Sequence, residues 1–149
     1  MRIFTRLGVT LLAMAALATT TAGVASAAPT GYAVNVFHSS GVLAASGNGN
    51  LAWSTSRRTV TVTTPSLGIS AGEWADVELT GHQGNKTVTK PKWAQGDRRN
   101  KSSAVVQMGT FSLTTTTPGG IEFVRITVRD IDHQIVRTVD CYYYEPYCP

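Results

Sequence analysis

After residue 27 the chain lacks any stretch with the 3.6-residue apolar period of a helix, and it lacks an apolar run long enough to cross a membrane. No internal repeat is present. The nucleophile elbow G-x-S-x-G is missing, and so is the zinc-protease motif H-E-x-x-H. Gly47-Asn48-Gly49 opens no helix and therefore cradles no phosphate. Cysteine is scarce, with two in 149 residues, and histidine numbers three. Two thiols without a nearby histidine pair do not make a closed zinc site. Together these absences weigh against a helical enzyme, a membrane span and the commonest hydrolase and metal motifs.

The N-terminus carries an export pattern. Arg2 and Arg6 give a positive start, Leu7–Leu17 an apolar middle too short for a bilayer, and Ala25-Ser26-Ala27 a small-residue exit. The pattern predicts a signal peptide over 1–27, cleaved to leave 122 residues, a length suited to one domain over 28–149. No cysteine follows the cleavage point, which argues against a lipid anchor. The expected location is secreted and extracellular.

Without Arg2 and Arg6 the balance is 11 Lys and Arg against 9 Asp and Glu, a net charge of +2. The charge is uneven. Lys86, Lys90, Lys92, Arg98, Arg99 and Lys101 face a single acid, Asp97. The plain reading of this segment is a solvated loop; the functional reading is attraction to anionic polymers. Cys141 and Cys148 bracket a tyrosine-rich stretch. In an oxidising compartment they are expected to pair and close a C-terminal loop over 141–148.

Alternation of apolar and polar residues fills the rest. Val60 and Val62 alternate with threonines; Ala75, Val77 and Leu79 alternate with Trp74, Asp76 and Glu78. Val124, Ile126 and Val128 alternate with Phe123, Arg125, Thr127 and Arg129. This period of two predicts an all-β fold, a single antiparallel β-sandwich of seven to nine strands, Ig-like or related. Turns are expected at Gly47–Asn50, Pro65-Ser66, Gly81–Asn85, Gly96-Asp97 and Pro118–Gly120. Ile121–Ile131 and Ile135–Tyr142 are expected to form a hairpin that places Arg125, Arg129 and Arg137 on one solvent face.

Gly41–Gly49, Leu51-Ala52-Trp53, Arg58–Val62 and Val124–Asp130, with Cys141 beyond, resemble a loose group of small secreted all-β proteins of actinobacteria. The resemblance implies a β-sandwich and export. It assigns no functional residue.

Chemistry is sparse. His38, His82 and His133 fall at expected strand ends or turns and read as solvated polar residues. Asp76 and Glu78 share a strand face at a spacing a glycosidase could use, but a polar strand face carries such pairs routinely. Asp130-Ile131-Asp132 beside His133 falls short of a calcium loop and reads as a charged turn. No cofactor, metal or catalytic residue is assigned. Aromatics carry the remaining signal. Trp53 is expected in the core, Trp74 on the polar face of its strand and Trp93 in the basic segment. Tyr142, Tyr143, Tyr144 and Tyr147 lie in the Cys-closed loop, where tyrosine gives contact area at low entropy cost.

The expected function is a non-catalytic binding protein for cell-wall or other extracellular polysaccharide. Its surface would combine Trp74, Trp93, Lys90, Lys92, Arg98 and Arg99 with Tyr142, Tyr143, Tyr144 and Tyr147. The alternative is a small secreted inhibitor or toxin-like protein that acts on another protein through the tyrosine loop. Nucleic acid is not an expected partner, no membrane span is expected, and a monomer is expected.

Overall fold

A computed structural model describes residues 30–149; the expected signal peptide lies outside them. Ten strands form two antiparallel five-stranded sheets stacked as a β-sandwich. They are β1 (Thr30–Phe37), β2 (Leu43–Trp53), β3 (Thr59–Ile69), β4 (Trp74–Gln83), β5 (Lys86–Thr87), β6 (Lys92–Asp97), β7 (Ala104–Gln107), β8 (Phe111–Thr114), β9 (Phe123–Asp130) and β10 (Ile135–Tyr142).

The first sheet runs β1-β2-β3, with β7 and β8 sharing the far side of β3. The second runs β10-β9-β4, with β5 and β6 sharing the far side of β4. Alternation decides which face is buried. Tyr32, Val34 and Val36 of β1 face inward, as do Val60 and Val62 of β3, Val77 and Leu79 of β4, and Val124, Ile126 and Val128 of β9. Each such aliphatic side chain contributes about 1.5–3 kcal/mol when fully buried.

Three expected turns are strand instead. Gly47-Asn48-Gly49-Asn50 lies inside β2. A Cβ on Gly47 would come within 2.8 Å of Val128 Cγ2 and 3.3 Å of Val77 Cγ2, so glycine is needed there because the sheets approach closely. Gly49 lies under the Tyr32 ring, its cross-strand partner. Pro65-Ser66 lies inside β3. There Thr64 has a φ of 51°, and the pairing jumps from Asn48–Ser66 to Asn50–Thr63. This bulge accommodates proline, which has no N–H to give the ladder, and it shifts the buried positions from Val60 and Val62 to Leu67 and Ile69. Gly96-Asp97 ends β6, where Gly96 packs against Ile69 and Val106 of the opposite sheet.

Part of the basic segment is likewise built into the sheet, while Lys90, Arg98, Arg99 and Lys101 lie outside the strands. Lys86 lies in β5, and Lys92 and Trp93 lie in β6, paired with Leu79 and Glu78 of β4. The lysines and Pro91 mask this strand in the sequence, because a short edge strand needs little apolar content.

Cys141 and Cys148 are joined, with Cα atoms 4.8 Å apart, and no free cysteine is present among the described residues. Cys141 packs into the core. Among the described residues no helix is long and apolar enough to cross a membrane.

Candidate functional site

The outer face of the second sheet is a polar grid set by strand register. One row joins Val136, Arg129, Asp76 and Gln95; the next joins Thr138, Thr127, Glu78 and Trp93. Arg129 reaches across to both acids, with Nη1 donating to Asp76 Oδ1 and Nη2 to Glu78 Oε2, each at 3.1 Å. One guanidinium thus holds both acids. Burial pushes the Asp76 carboxyl up, and Arg129 opposes that shift. Arg125 makes a bidentate pair with Asp140 at 2.7 and 2.6 Å. Arg137 does not share this face: it pairs with Val128, whose side chain points into the core, so the hairpin register puts Arg137 on the opposite side.

Trp93 stands on this grid with 65% of its surface exposed. Trp74 lies on the same face but is half-buried, and the Arg99 guanidinium covers its ring at 4.5 Å. Lys92 turns the other way and lies 6.0 Å from the Phe111 ring. Lys90 is exposed beside Thr87 and the Thr114–Thr117 segment. Arg98 is half-buried, and its backbone pairs with Gly72 and Glu73.

The tyrosine loop belongs to another part of the molecule. Tyr142 is level with Phe123 and His82, four residues along β4 from the Glu78–Trp93 row. That is about 13 Å along the strand, with three inter-strand spacings of about 4.8 Å across the sheet. The expected single surface of Trp93, basic residues and tyrosines is therefore two surfaces. Aromatic rings run in a file from His82 through Phe123, Tyr142 and Tyr144 to Tyr143 and Trp53, with successive centroids 5.0 to 6.4 Å apart. Arg57 caps Tyr143 at 4.4 Å. Tyr144 and Tyr147 remain 62% and 72% exposed.

None of the three histidines is a simply solvated turn residue. His82 is buried, stacks on Phe123 and meets Thr80 Oγ1 at 2.8 Å. Burial, then Arg125, pushes its imidazole below the ordinary value.

His38 and His133 meet at the end of the sandwich where β1 and β9 finish and β4 begins. Their ring centroids are 4.4 Å apart at 86°. Glu73 and Asp130 lie against them. His38 Nε2 is 3.0 Å from Glu73 Oε1, and His133 Nδ1 is 2.9 Å from Asp130 Oδ2 and 3.5 Å from Glu73 Oε2. His38 Nδ1 is 3.9 Å from Asp130 Oδ2.

Local backbone structure fixes each of the four. A tight turn bonds His38 N–H to Val42 O and Gly41 N–H to His38 O. The Glu73 carbonyl accepts from Arg98 N–H. Asp130 Oδ1 accepts from the His133 N–H at 3.3 Å, an Asx-type turn that folds His133 back over its own strand end. Asp130 is fully buried, which corrects its reading as part of a solvated charged turn.

Spacing in the chain hid this cluster, since 35 residues separate His38 from Glu73 and a further 57 separate Glu73 from Asp130. The one available signal was Asp130 at a core-parity position, continuing the inward series of Val124, Ile126 and Val128. Models of protein families, curated proteins and solved structures offer no match to the chain.

Proposed function

We propose that this chain is exported and acts outside the cell as a non-catalytic binding module for cell-wall or other extracellular polysaccharide. The carrying observation is Trp93, exposed on the outer sheet face beside Glu78 and Gln95, with Thr127 next in the same row. The C–H face of a sugar ring stacks on an indole, and hydroxyls bond to adjacent carboxylate and amide groups. Export is supported by Arg2, Arg6, Leu7–Leu17 and Ala25–Ala27, and by a disulfide suited to an oxidising compartment.

Co-sedimentation of the purified protein with insoluble polysaccharides and cell walls tests this reading at low and high salt. Retention is expected to survive high salt and to be abolished by Trp93→Ala, because stacking is not screened as charge attraction is. Retention lost in salt would move binding to Lys90, Lys92, Arg98 and Arg99. No retention at either salt would sink the polysaccharide reading.

A second reading, a secreted inhibitor or toxin-like protein acting on another protein, is favoured by the exposure of Tyr144 and Tyr147 on a covalently closed loop. Rigid aromatic residues bind with a small ordering cost. Under that reading Tyr144→Ala and Tyr147→Ala abolish the activity and Trp93→Ala leaves it intact.

A further inference from the structure

We propose that His38, Glu73, Asp130 and His133 bind one divalent first-row transition ion, with Zn²⁺ as its representative. The ligand atoms of these four side chains all lie within 4.8 Å of one another. A tetrahedral ion with bonds of about 2.0–2.1 Å separates its ligand atoms by about 3.3 Å. His38 Nε2 lies 3.0 Å from Glu73 Oε1, and His133 Nδ1 lies 2.9 Å from Asp130 Oδ2 and 3.5 Å from Glu73 Oε2, separations that straddle that distance with one nitrogen from each histidine. Ligand atoms spread over as much as 4.8 Å draw in by up to about 1.5 Å to reach that spacing, a movement within reach of side-chain rotation.

Charge points the same way. Asp130 is fully buried, and Glu73 Oε2 is buried without a hydrogen-bond partner. Among the described residues no Lys or Arg nitrogen lies within 4.0 Å of either carboxylate; only the two imidazoles do. Two carboxylates, one fully buried and one 13% exposed, stand together with no described Lys or Arg beside them, a setting in which a bound cation is electrostatically favoured. Two imidazoles and two carboxylates select the ion class: Ca²⁺ and Mg²⁺ favour all-oxygen shells, whereas imidazole suits Zn²⁺ and its neighbours.

Four protein ligands make a closed, structural site. Its position gives it a task. His38 ends β1 of the first sheet, Glu73 precedes β4 of the second, and Asp130 and His133 belong to the β9–β10 hairpin. An ion held by all four ties the two sheets together. His133 is 52% exposed, which leaves a route for entry.

The test is calorimetric titration of chelator-dialysed protein with ZnCl₂, paired with thermal unfolding with and without Zn²⁺. One saturable site and a raised Tm are expected. His38→Gln and His133→Gln should each weaken the affinity by more than the roughly 10–100-fold that losing an outer-shell partner costs. Co²⁺ should give the visible bands of a four-coordinate ion, lost in both variants. His133→Gln also removes the imidazole beside buried Asp130 and should lower the Tm in chelator. The titrations are therefore run well below that Tm, where circular dichroism shows the variant folded and its binding loss is a loss of coordination. Absence of saturable Zn²⁺ binding would overturn the proposal. So would Zn²⁺ binding that survives both substitutions, or a site that takes Ca²⁺ in preference to Zn²⁺. None of these results depends on polysaccharide binding.

Discussion

The guanidinium of Arg99 lies over the Trp74 indole, 4.5 Å from its centre, and the same group grips Asp97 through Nε at 3.1 Å and Nη2 at 2.6 Å. The Asp97 carboxyl also accepts from the Arg99 N–H at 3.0 Å. These bonds hold the Asp97 pKa down to about 2. The group thus supports the fold above its ordinary value of 3.8, and that support is lost as pH falls through about 2. A carboxyl-carbon NMR titration should find the Asp97 midpoint near 2 in the parent protein. In Arg99→Ala the midpoint should return toward 3.8. An unchanged midpoint would show that the pair does not persist in solution.

His82 makes a second titration prediction of the same sign. Its pKa is lowered, first by burial and next by the Arg125 charge, so protonation opposes folding. The His82 contribution is complete above the ordinary value of 6.5 and declines as pH falls through the lowered one. Imidazole proton shifts should report a midpoint below 6.5 for His82, and Arg125→Ala should raise it. Arg125→Ala also leaves Asp140 without its partner, which acts in the same direction.

The disulfide closes a loop with a sequence separation of 7. The chain-entropy estimate for so short a loop is about 2.5 kcal/mol. A Cys141→Ala/Cys148→Ala double variant should lose about that much in denaturant unfolding while keeping the sandwich's circular dichroism. A loss well above about 5 kcal/mol would mean that the tyrosine loop is needed to hold β10 in place.

Gly47 and Gly31 should respond oppositely to alanine. A methyl at Gly47 enters the space of Val128 and Val77, and overpacking of this kind costs about 1–3 kcal/mol. At Gly31 the nearest atom is Asn50 Oδ1 at 3.4 Å, on an exposed strand position. Gly31→Ala should be neutral or stabilising by up to about 1 kcal/mol, because alanine restricts the unfolded chain. Equal losses at both positions, measured by urea unfolding, would contradict the close sheet contact at Gly47.

Most strands were legible because valine, threonine and isoleucine alternate where one sheet face is buried. The misread stretches share a cause: glycine and proline serve two purposes. Gly47 and Gly96 give room where sheets touch, and Pro65 sits at a bulge, yet each carries the local chemistry of a turn. Trp74, Asp76 and Glu78 share a face through simple parity. The His38–His133 cluster was not legible, since it is made by stacking one sheet on the other and no local period encodes that. The two-surface split of Trp93 and Tyr144 was equally hidden, because it depends on strand order rather than on strand content.

Strand order also sets when the second sheet can close. β9 is flanked by β4 and β10 in the second sheet, yet it begins at Phe123, after eight other strands have been made. Until it arrives, β4 has only the short β5 and β6 beside it. The β4–β9 pairing joins residues up to 55 positions apart, such as Ala75 with Asp130. Sandwiches that rely on distant pairings of this kind fold slowly, on the order of milliseconds to seconds, and the second sheet cannot close before β9 has been made.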